Sequence, residues 1–353
     1  MKIFLILKSS YNDSNYFIRQ ISAIRNVEKV IVFRDRMSQE DPKVDYITNQ
    51  KISFSKVSHL LRLIQIVSRI NLNPKVIIGI YEIPHGLLAV LAGKILKKPC
   101  IVSIIGNPAY SRVRKGLRLK VTNWIFRKAR FVTVTGYNSR KYLIDNGLPP
   151  HKVVVLPNSM DFKRFFPVVG VKRDYDVISL GRLSKEKRVD QIIRVIYLLK
   201  KNHQDIKVAI GGDGPEKGKL EKLIKSLNLE RNIKVLGYVS DNDLPTFLSK
   251  GKVFLLTSET EGFPRTIIQA AACGAAVVAT NVGDISDIIE HNVDGFLVDN
   301  YTDIMIFNNY IQLLLSDLNL RKSFVNRLDY KVRTEFANKK ATRVWESMFD
   351  QIN

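Results

Sequence analysis

The chain alternates short, uninterrupted apolar runs with longer stretches in which apolar residues recur every three or four positions. The short runs predict strands, and the longer stretches between them predict helices. The runs lack apolar–polar alternation, which is typical of parallel strands covered by helices on both faces. In the first half the predicted strands are Lys2–Leu7, Lys29–Phe33, Val76–Ile80, Cys100–Ile104, Phe131–Val134 and Val153–Leu156. In the second half they are Val177–Leu180, Lys207–Ile210, Ile233–Leu236, Val253–Leu256, Ala276–Ala279 and Gly295–Val298.

Helical patterns separate these strands and continue to the end of the chain. They cover Ser58–Ile70, Gly86–Leu96, Val189–Lys200, Glu216–Leu227, Asp243–Leu248, Thr266–Ala272, Asp284–Glu290 and the tail Asp317–Asn353. Two successive β/α arrays predict an α/β protein with two Rossmann-like, doubly wound domains that face each other across a cleft.

The connector between the two arrays is predicted at Pro157–Pro167. The expected domains are residues 1–166 and 167–335. A helix over about 336–353, which carries Trp345 and Phe349, is expected to pack back on the first domain.

Composition excludes several classes of protein. The 353 residues are 45% hydrophobic and 25% charged, as in ordinary globular domains. Apolar runs stay shorter than the roughly 18–20 residues that a membrane-spanning helix needs. The run Ile3–Leu7 is too short for a signal peptide and favours a buried strand. Cys100 and Cys273 suit no metal spacing, so we expect buried thiols in a reducing, cytoplasmic compartment.

The charge is strongly asymmetric. Of a net +23, residues up to Gly170 carry 29 basic and 9 acidic side chains, and the remainder carries 27 and 24. Between Glu82 and Asp145 there are 13 Lys or Arg and no acid. This distribution favours an anionic partner: nucleic acid, an anionic membrane or a phosphorylated ligand. A contribution to solubility alone is the alternative.

Two loops of the second half carry residues suited to phosphate. Gly181–Lys187 follows a strand and opens a helix, so it can place Arg182 and Lys187 at the carboxyl edge of the sheet. Two cations on one loop suit a diphosphate, although a solvated loop is the alternative. Gly211–Glu216 is a second strand-to-helix turn, whose glycines permit close ligand approach or simply form the turn.

The stretch Ser258–Gly274 holds the strongest signal. A strand ends in a polar turn, Pro264 suits the first helical turn and Gly274 suits the C-terminal stop. Amides at this helix start would bind a phosphate. Glu261 then lies beside an anion site, which favours a functional role; its alternative is a favourable interaction with the helix dipole.

These motifs, with the segment Leu156–Phe165, resemble in their order the GT4 family of retaining glycosyltransferases, which have the GT-B fold. The resemblance covers about residues 75–300. It implies that Arg182 and Lys187 bind the diphosphate of a UDP- or GDP-linked sugar and that Glu261 touches the transferred sugar. It implies no metal and no cofactor. The further donor-binding residues that it implies are Gly181, Gly212, Gly262, Phe263, Pro264, Arg265, Thr266 and Gln269.

The chain departs from the family pattern at two places that matter for function. Gln269 occupies the position of a glutamate that receives the ribose hydroxyls; an amide keeps one acceptor and adds a donor. The family's histidine–glycine pair has no counterpart in Ile104–Asn107. His85, at a neighbouring strand end, either faces the cleft or only starts a helix. The candidate acceptor-side residues are therefore His85, Gly106 and Asn107.

The basic half predicts contact with an anionic membrane, because basic residues there are interleaved with aromatic ones. Core packing is the alternative role for the apolar residues. Nucleic acid is the rival partner, but we expect none, since the sequence shows no recognition helix, zinc pattern or RNA-binding motif. The predicted membrane-binding residues are Arg112, Arg114, Lys115, Arg118, Lys120, Trp124, Phe126, Arg127 and Lys128.

Together these observations predict a metal-independent, retaining glycosyltransferase. It would act at the cytoplasmic face of the cell membrane on a lipid-linked or polysaccharide acceptor. Two alternatives remain at this point: a non-catalytic GT-B relative that binds a sugar nucleotide or partner, and a sugar-nucleotide epimerase of similar fold.

Overall fold

A computed structural model describes residues 1–7, 15–34, 41–48, 56–109 and 116–352. The chain divides into two compact units, one formed by residues 1–160 with 338–353 and the other by residues 161–337. The division after Met160 falls inside the predicted connector, six residues before the expected boundary at 166.

The first unit is built on a seven-stranded parallel sheet with the strand order β3-β2-β1-β4-β5-β6-β7. The strands are β1 (Lys2–Ile6), β2 (Lys29–Arg34), β3 (Val44–Thr48), β4 (Val76–Ile80), β5 (Cys100–Ser103), β6 (Phe131–Val134) and β7 (Val153–Val155). The helices between them are α1 (Asn15–Ser22), α2 (Lys56–Val67), α3 (Leu87–Leu96), α4 (Gly116–Lys128) and α5 (Tyr137–Asp145).

The second unit is built on a six-stranded parallel sheet with the order β10-β9-β8-β11-β12-β13. The strands are β8 (Tyr175–Leu180), β9 (Val208–Gly211), β10 (Ile233–Gly237), β11 (Gly251–Leu256), β12 (Ala276–Thr280) and β13 (Phe296–Val298). The helices are α6 (Val189–Leu199), α7 (Lys217–Ser226), α8 (Leu244–Ser249), α9 (Arg265–Ala272), α10 (Ile304–Ser316) and α11 (Leu318–Glu335).

The last helix, α12 (Asn338–Asp350), returns to the first unit. Trp345 is buried there beside Phe17 of α1, and its indole N–H donates to the Gln20 side chain at 3.0 Å. The predicted helical tail is thus two helices, interrupted at Phe336, which packs on Phe263 in the second unit.

Helices cover both faces of the first sheet. Ile3 and Leu5 of β1 belong to a core cluster that includes residues of α1 and α12. Phe4 and Ile6 belong to a second cluster with residues of α2, α3, α4 and α5. Because successive residues of a strand point to opposite faces, the two clusters lie on opposite sides of the sheet. This arrangement explains the uninterrupted apolar runs.

The structure differs from the prediction at several elements, among them helix α10, which was not predicted. Strand β3 was not predicted, because its sequence Val-Asp-Tyr-Ile-Thr is short and mixed, as suits a strand at the sheet edge. The predicted helix Asp284–Glu290 is wrong: only a 3₁₀ turn forms over Ile285–Asp287. Ile285, Ile288 and Ile289 are nevertheless buried, so the apolar spacing reflects a packed turn. In the described part of the chain, no helix combines the length and apolar character needed to span a bilayer.

Candidate active site

The strand order of the second unit identifies where a ligand would bind. From β8 the chain proceeds outward through β9 to β10, and it then returns to add β11, β12 and β13 on the other side of β8. The sheet therefore has its topological switch point between β8 and β11, and ligands of such sheets bind at the carboxyl ends of the strands there. The loops that follow these two strands carry Lys187 and Glu261.

Lys187 and Glu261, 74 positions apart in sequence, form a short ion pair. The Lys187 Nζ lies 2.6 Å from Glu261 Oε1. The Glu261 side chain is only 8% exposed, whereas that of Lys187 is 27% exposed. A charge-assisted hydrogen bond at this burial fixes both side chains. The structure thus brings together two of the three predicted catalytic residues.

Ser258 is a site residue that the sequence did not single out. Its hydroxyl is fully buried and donates to Glu261 Oε1 at 2.7 Å. Both the Lys187 and the Ser258 bonds therefore hold the same carboxylate oxygen, and Glu261 Oε2 is left for another contact. The only sequence signal was the position of Ser258 three residues before Glu261, at the end of an apolar strand.

The third predicted catalytic residue, Arg182, lies on the same loop as Lys187 and is exposed. Within the described ranges its guanidinium forms no hydrogen bond or ion pair. Arg182 and Lys187 both line a small cavity at the end of β8, together with Gly181 and Thr257. One cation is thus held by a carboxylate and the other faces solvent, and both border the same space.

The loop after β8 is fastened to the loop after β9 by backbone hydrogen bonds. Gly181 donates to the Gly211 carbonyl at 3.0 Å, and Leu183 donates to the Asp213 carbonyl at 2.9 Å. Gly212 has a φ of 141°, and a Cβ at this position would collide with the carbonyl of Gly181. Glycine is therefore required here by both conformation and space. The Gly211–Glu216 turn therefore holds the backbone of the loop that bears Arg182 and Lys187.

Arg188 anchors the other end of this loop and was also missed. Its guanidinium pairs with Asp190 at 3.0 and 2.9 Å, lies 3.9 Å from Glu259 and stacks 4.6 Å from the centre of the Tyr301 ring. Its carbonyl accepts from the Thr257 hydroxyl at 2.8 Å. These contacts join three chain segments directly beside Lys187. Asp190 is only two residues away, but the sequence gives no signal for the contacts with Thr257, Glu259 and Tyr301, because these residues are far from Arg188 along the chain.

The two acidic groups of this loop are held ionised by their neighbours. The hydroxyl of Ser184 donates to Glu186 at 2.7 Å and lowers the pKa of that carboxyl. Burial raises the pKa of Asp190, but the hydrogen bonds and charge of Arg188 outweigh it, so that the pKa is lowered overall.

Helix α9 begins at Arg265, and Pro264 is its N-cap in an extended conformation. The first turn of such a helix directs N–H groups outward without intrahelical acceptors, which suits an anion. Arg265, Thr266 and Gln269 are half-buried. The Gln269 side-chain amide has no hydrogen-bond partner among the described residues, so it is available to a ligand.

Two further donor-binding candidates, Gly262 and Phe263, contact other parts of the second unit. The Phe263 side chain is buried against Phe336, with ring centres 5.1 Å apart, so that only its backbone is placed to meet a donor. The carbonyl of Gly262 accepts from the Asp284 amide at 2.9 Å. This bond ties the turn before α9 to the loop that follows β12.

The acceptor-side candidates lie in the first unit, at the carboxyl ends of the adjacent strands β4 and β5. His85 belongs to a π-helical turn, Glu82–Gly86, and its Nδ1 is 2.8 Å from the Ile80 carbonyl. That contact makes Nδ1 the protonated nitrogen. Gly106 has a φ of 118°, and the Asn107 side chain accepts from the Ala109 amide at 2.8 Å. His85 thus lies near the end of this turn, two residues before α3, and does not start a helix.

The predicted membrane-binding residues differ in their placement. Arg118, Lys120, Arg127 and Lys128 are exposed on α4, and Trp124 is 37% exposed. Phe126 is fully buried in the core with Ile125, so its predicted insertion into a membrane is wrong. On α4, helical periodicity places Phe126 against the sheet and Trp124 outside. Arg112, Arg114 and Lys115 lie outside the described residues.

Comparison with protein families finds two adjacent matches. The family described as "Glycosyl transferases group 1" matches residues 161–328. The family described as "Glycosyl transferase 4-like domain" matches residues 41–159. The two matches meet where the chain divides into its two units.

Two curated relatives match part of the chain. The phosphatidylinositol N-acetylglucosaminyltransferase GPI3 subunit of Saccharomyces cerevisiae is 28% identical over 172 residues, which cover 46% of this chain and 38% of that protein. N-acetylgalactosamine-N,N'-diacetylbacillosaminyl-diphospho-undecaprenol 4-alpha-N-acetylgalactosaminyltransferase of Campylobacter jejuni is 30% identical over 212 residues, which cover 58% of this chain and 55% of that protein. The chain therefore spans between a third and about half of the length of these relatives.

Several solved structures match nearly the whole chain, and Anabaena HepE is one of them. Anabaena HepE in complex with UDP superposes with a TM-score of 0.81 at 19% sequence identity, covering 99% of this chain and 100% of that one. At this identity the likeness establishes the fold.

Proposed function

Because the chain belongs to the group 1, GT4-like glycosyltransferases with the GT-B fold, we propose that it transfers a sugar from a UDP- or GDP-linked donor with retention of configuration. The observation that carries this proposal is that Arg182 and Lys187 line one cavity at the switch point of the second sheet and that Lys187 is paired with the buried Glu261. Two cations and a helix N-terminus suit a diphosphate, and a buried carboxylate beside them suits sugar hydroxyls.

In the proposed reaction, the bond between the anomeric carbon and the β-phosphate oxygen breaks on the same face on which the acceptor oxygen attacks. The acceptor hydroxyl gives its proton to the departing phosphate oxygen. Arg182, Lys187 and the amides at the start of α9 stabilise the negative charge that develops on the diphosphate. No side-chain nucleophile and no metal takes part, since the two cations and the helix terminus supply the positive charge. Glu261 Oε2 orients the transferred sugar.

We propose a lipid-linked or glycan acceptor at the cytoplasmic face of an anionic membrane. The names of the two curated relatives contain phosphatidylinositol and diphospho-undecaprenol, both lipids. The basic sequence of the first unit, which has no acidic residue between Glu82 and Asp145, supports the same assignment. His85, Gly106 and Asn107 are the proposed acceptor-side residues.

A second candidate function is donor binding without transfer, and Gln269 favours it. An amide at the proposed ribose position offers one acceptor oxygen where a carboxylate offers two. The absence of the family's histidine from Ile104–Asn107 also favours binding without transfer. An epimerase of similar fold is distinguished by its product, because it releases or isomerises the sugar without any acceptor.

The test begins with a thermal-shift screen of UDP- and GDP-linked sugars, where a donor at 100 times its Kd stabilises by roughly 2.7 kcal/mol. Arg182→Ala and Lys187→Ala are each expected to weaken donor binding and transfer by about ten- to a hundredfold, the usual worth of a charge-assisted contact. Lys201→Ala, an exposed cation elsewhere on the same unit, is the matched control.

Unchanged donor affinity and turnover in both site variants would contradict the assignment. Donor binding without transfer to any lipid-linked or glycan acceptor would favour the non-catalytic candidate.

A further inference from the structure

One helical layer of the first unit presents apolar and basic side chains together and no carboxylate. Helices α2, α3 and α4 lie side by side against the same face of the sheet. Between Asp45 and Asp145 the only acidic residue is Glu82, and it is buried. The same span of sequence contains 18 Lys or Arg. The outer surface of this layer is therefore positively charged.

Large apolar side chains are exposed on the same layer. Leu60 is 60% exposed and Ile64 is 55% exposed, and their spacing of four residues places them on one side of α2 with Leu61 between them. Ile95 on α3 and Leu117 and Trp124 on α4 are also exposed. Single exposed apolar residues are ordinary, but several on adjacent helices of one layer indicate an interaction site.

Basic and apolar residues alternate on the outside of α4. Leu117, Lys120, Trp124 and Arg127 recur at spacings of three and four residues, so they share one face of the helix. Among the described residues, Lys120 and Arg127 form no ion pair through their side chains. Lys94 and Lys97 flank Ile95 closely on α3 and are likewise exposed. Each exposed apolar group on these two helices thus has a cation near it.

We infer that the outer face of α2, α3 and α4 docks on the surface of an anionic lipid bilayer. Leu60, Leu61, Ile64 and Trp124 enter the interface, while Arg118, Lys120, Arg127 and Lys128 contact lipid phosphates. Charge complementarity selects this occupant, because a surface without carboxylates attracts anionic headgroups and its apolar groups have a place among acyl chains. The inference deepens the proposed function by naming the face through which the enzyme meets its membrane, and it moves the predicted insertion from Phe126 to α2.

The first test is co-sedimentation of the full chain with vesicles of phosphatidylcholine alone or with about 30% phosphatidylglycerol, a composition chosen at roughly physiological charge. Binding to the anionic vesicles only is expected, and it should weaken as added salt shortens the Debye length from about 8 Å toward 3 Å. Each cation near such a surface contributes about fivefold, so Arg118→Gln/Lys120→Gln/Arg127→Gln/Lys128→Gln should lose more than about a hundredfold.

The matched control removes the same charge from the second unit. Lys201→Gln/Lys222→Gln/Lys225→Gln/Arg231→Gln changes four exposed cations, and it is expected to bind vesicles like the unmodified chain. If both quadruple variants lose binding equally, net charge alone explains it and the docking face is refuted.

The apolar contribution has its own readout. Leu60→Ser/Ile64→Ser should abolish the part of vesicle binding that resists high salt, since these side chains supply buried apolar area. The chain has two tryptophans, and Trp345 is buried, so a blue shift of emission on adding vesicles reports Trp124. The shift should disappear in Trp124→Phe. A shift that persists in Trp124→Phe would overturn the assignment.

UDP and GDP binding by calorimetry, measured on every variant, separates the two proposals. Intact nucleotide binding without any vesicle binding refutes the docking face and leaves the donor site standing. Vesicle binding without nucleotide binding refutes the donor site and supports the docking face. Salt-sensitive binding to RNA or DNA oligonucleotides without vesicle binding would assign the basic layer to nucleic acid and refute the membrane inference.

Discussion

At the scale of single residues, the candidate site depends on one carboxylate oxygen that receives two donors. Lys187 and Ser258 both contact Glu261 Oε1, at 2.6 and 2.7 Å. The pair orients Glu261 and at the same time keeps the Lys187 ammonium beside the proposed diphosphate position. Lys187, expected at the diphosphate, and Glu261, expected at the sugar, are thus hydrogen-bonded to each other.

Glu261→Gln is expected to lower transfer by at least about a hundredfold, because it removes the charge that holds Lys187 and one acceptor for the sugar. Ser258→Ala should have a smaller effect of about tenfold, since Lys187 still fixes the carboxylate. Steady-state transfer rates with saturating donor measure both changes. A larger loss in Ser258→Ala than in Glu261→Gln would contradict the assigned roles.

Gln269→Glu is expected to keep or modestly raise donor affinity, by up to about tenfold, because a carboxylate accepts both ribose hydroxyls. Calorimetric titration with UDP and GDP measures the change, and Gln204→Glu, at an exposed glutamine of the same unit, is the control. An inactive Gln269→Glu enzyme that binds no nucleotide would show that the amide donates to the ligand.

At the scale of elements, paired loops shape the site. The loop after β8 rests on the loop after β9, and Gly212 is the point at which the two backbones come closest. A residue with a side chain there must move the Gly181 carbonyl and, with it, the loop that bears Arg182 and Lys187.

Gly212→Ala is therefore expected to lower donor affinity by about tenfold or more and to destabilise the protein by about 1–3 kcal/mol. Gly218→Ala in helix α7 is the matched control: its Cβ meets nothing, its conformation is ordinary, and alanine is the better helix former by about 1 kcal/mol. Donor titration and urea unfolding distinguish the two. Equal behaviour of both variants would contradict the role of the loop pair.

The start of α6 depends on the ion pair between Arg188 and Asp190, and this gives a pH dependence. The folded-state pKa of Asp190 lies below its unfolded value, so the pair stabilises above the unfolded pKa and loses this effect as the pH falls through the folded one. Asp190→Asn should therefore unfold at lower urea than the unmodified chain at pH 7, with a difference that narrows below about pH 4. Urea midpoints from neutral pH down to about pH 3 measure it, and a difference independent of pH would exclude the charge as its cause.

At the scale of the whole molecule, the end of the chain completes the unit that its beginning forms. Helix α12 buries Trp345 in the first unit, next to Phe17 and Gln20. Residues 338–353 and residues 1–160 are therefore one cooperative structure, although the whole second unit, residues 161–337, lies between them in sequence.

Trp345→Ala is expected to destabilise the first unit by about 3–5 kcal/mol, the usual loss for a buried aromatic side chain. Trp124→Ala, at the partly exposed tryptophan, should lower the free energy of unfolding by well under half of that amount. Differential scanning calorimetry of both variants gives the comparison. Similar losses would mean that α12 contributes no more than a surface helix does.

The α/β class and twelve of the thirteen strands found in the described part of the chain follow from the sequence, because burial on both faces of a parallel sheet demands uninterrupted apolar runs. Strand β3 did not follow, since an edge strand half in solvent needs no such run. The turn at Ile285–Asp287 was predicted as a helix, because buried isoleucines at helical spacing carry the same pattern in a packed turn.

The sequence by itself also determined which residues lie at the carboxyl edge of the second sheet, since Arg182, Lys187 and the start of α9 each follow a strand end. Only the tertiary structure decided how they are held. Lys187 contacts Glu261, Arg188 contacts Thr257 and Tyr301, and Gly212 approaches Gly181. These partners are distant along the chain, and a spacing pattern carries no information about such contacts. The same holds for the side chains of α4. Composition did not distinguish Trp124 from Phe126, whereas packing against the sheet buries Phe126 and leaves Trp124 partly exposed.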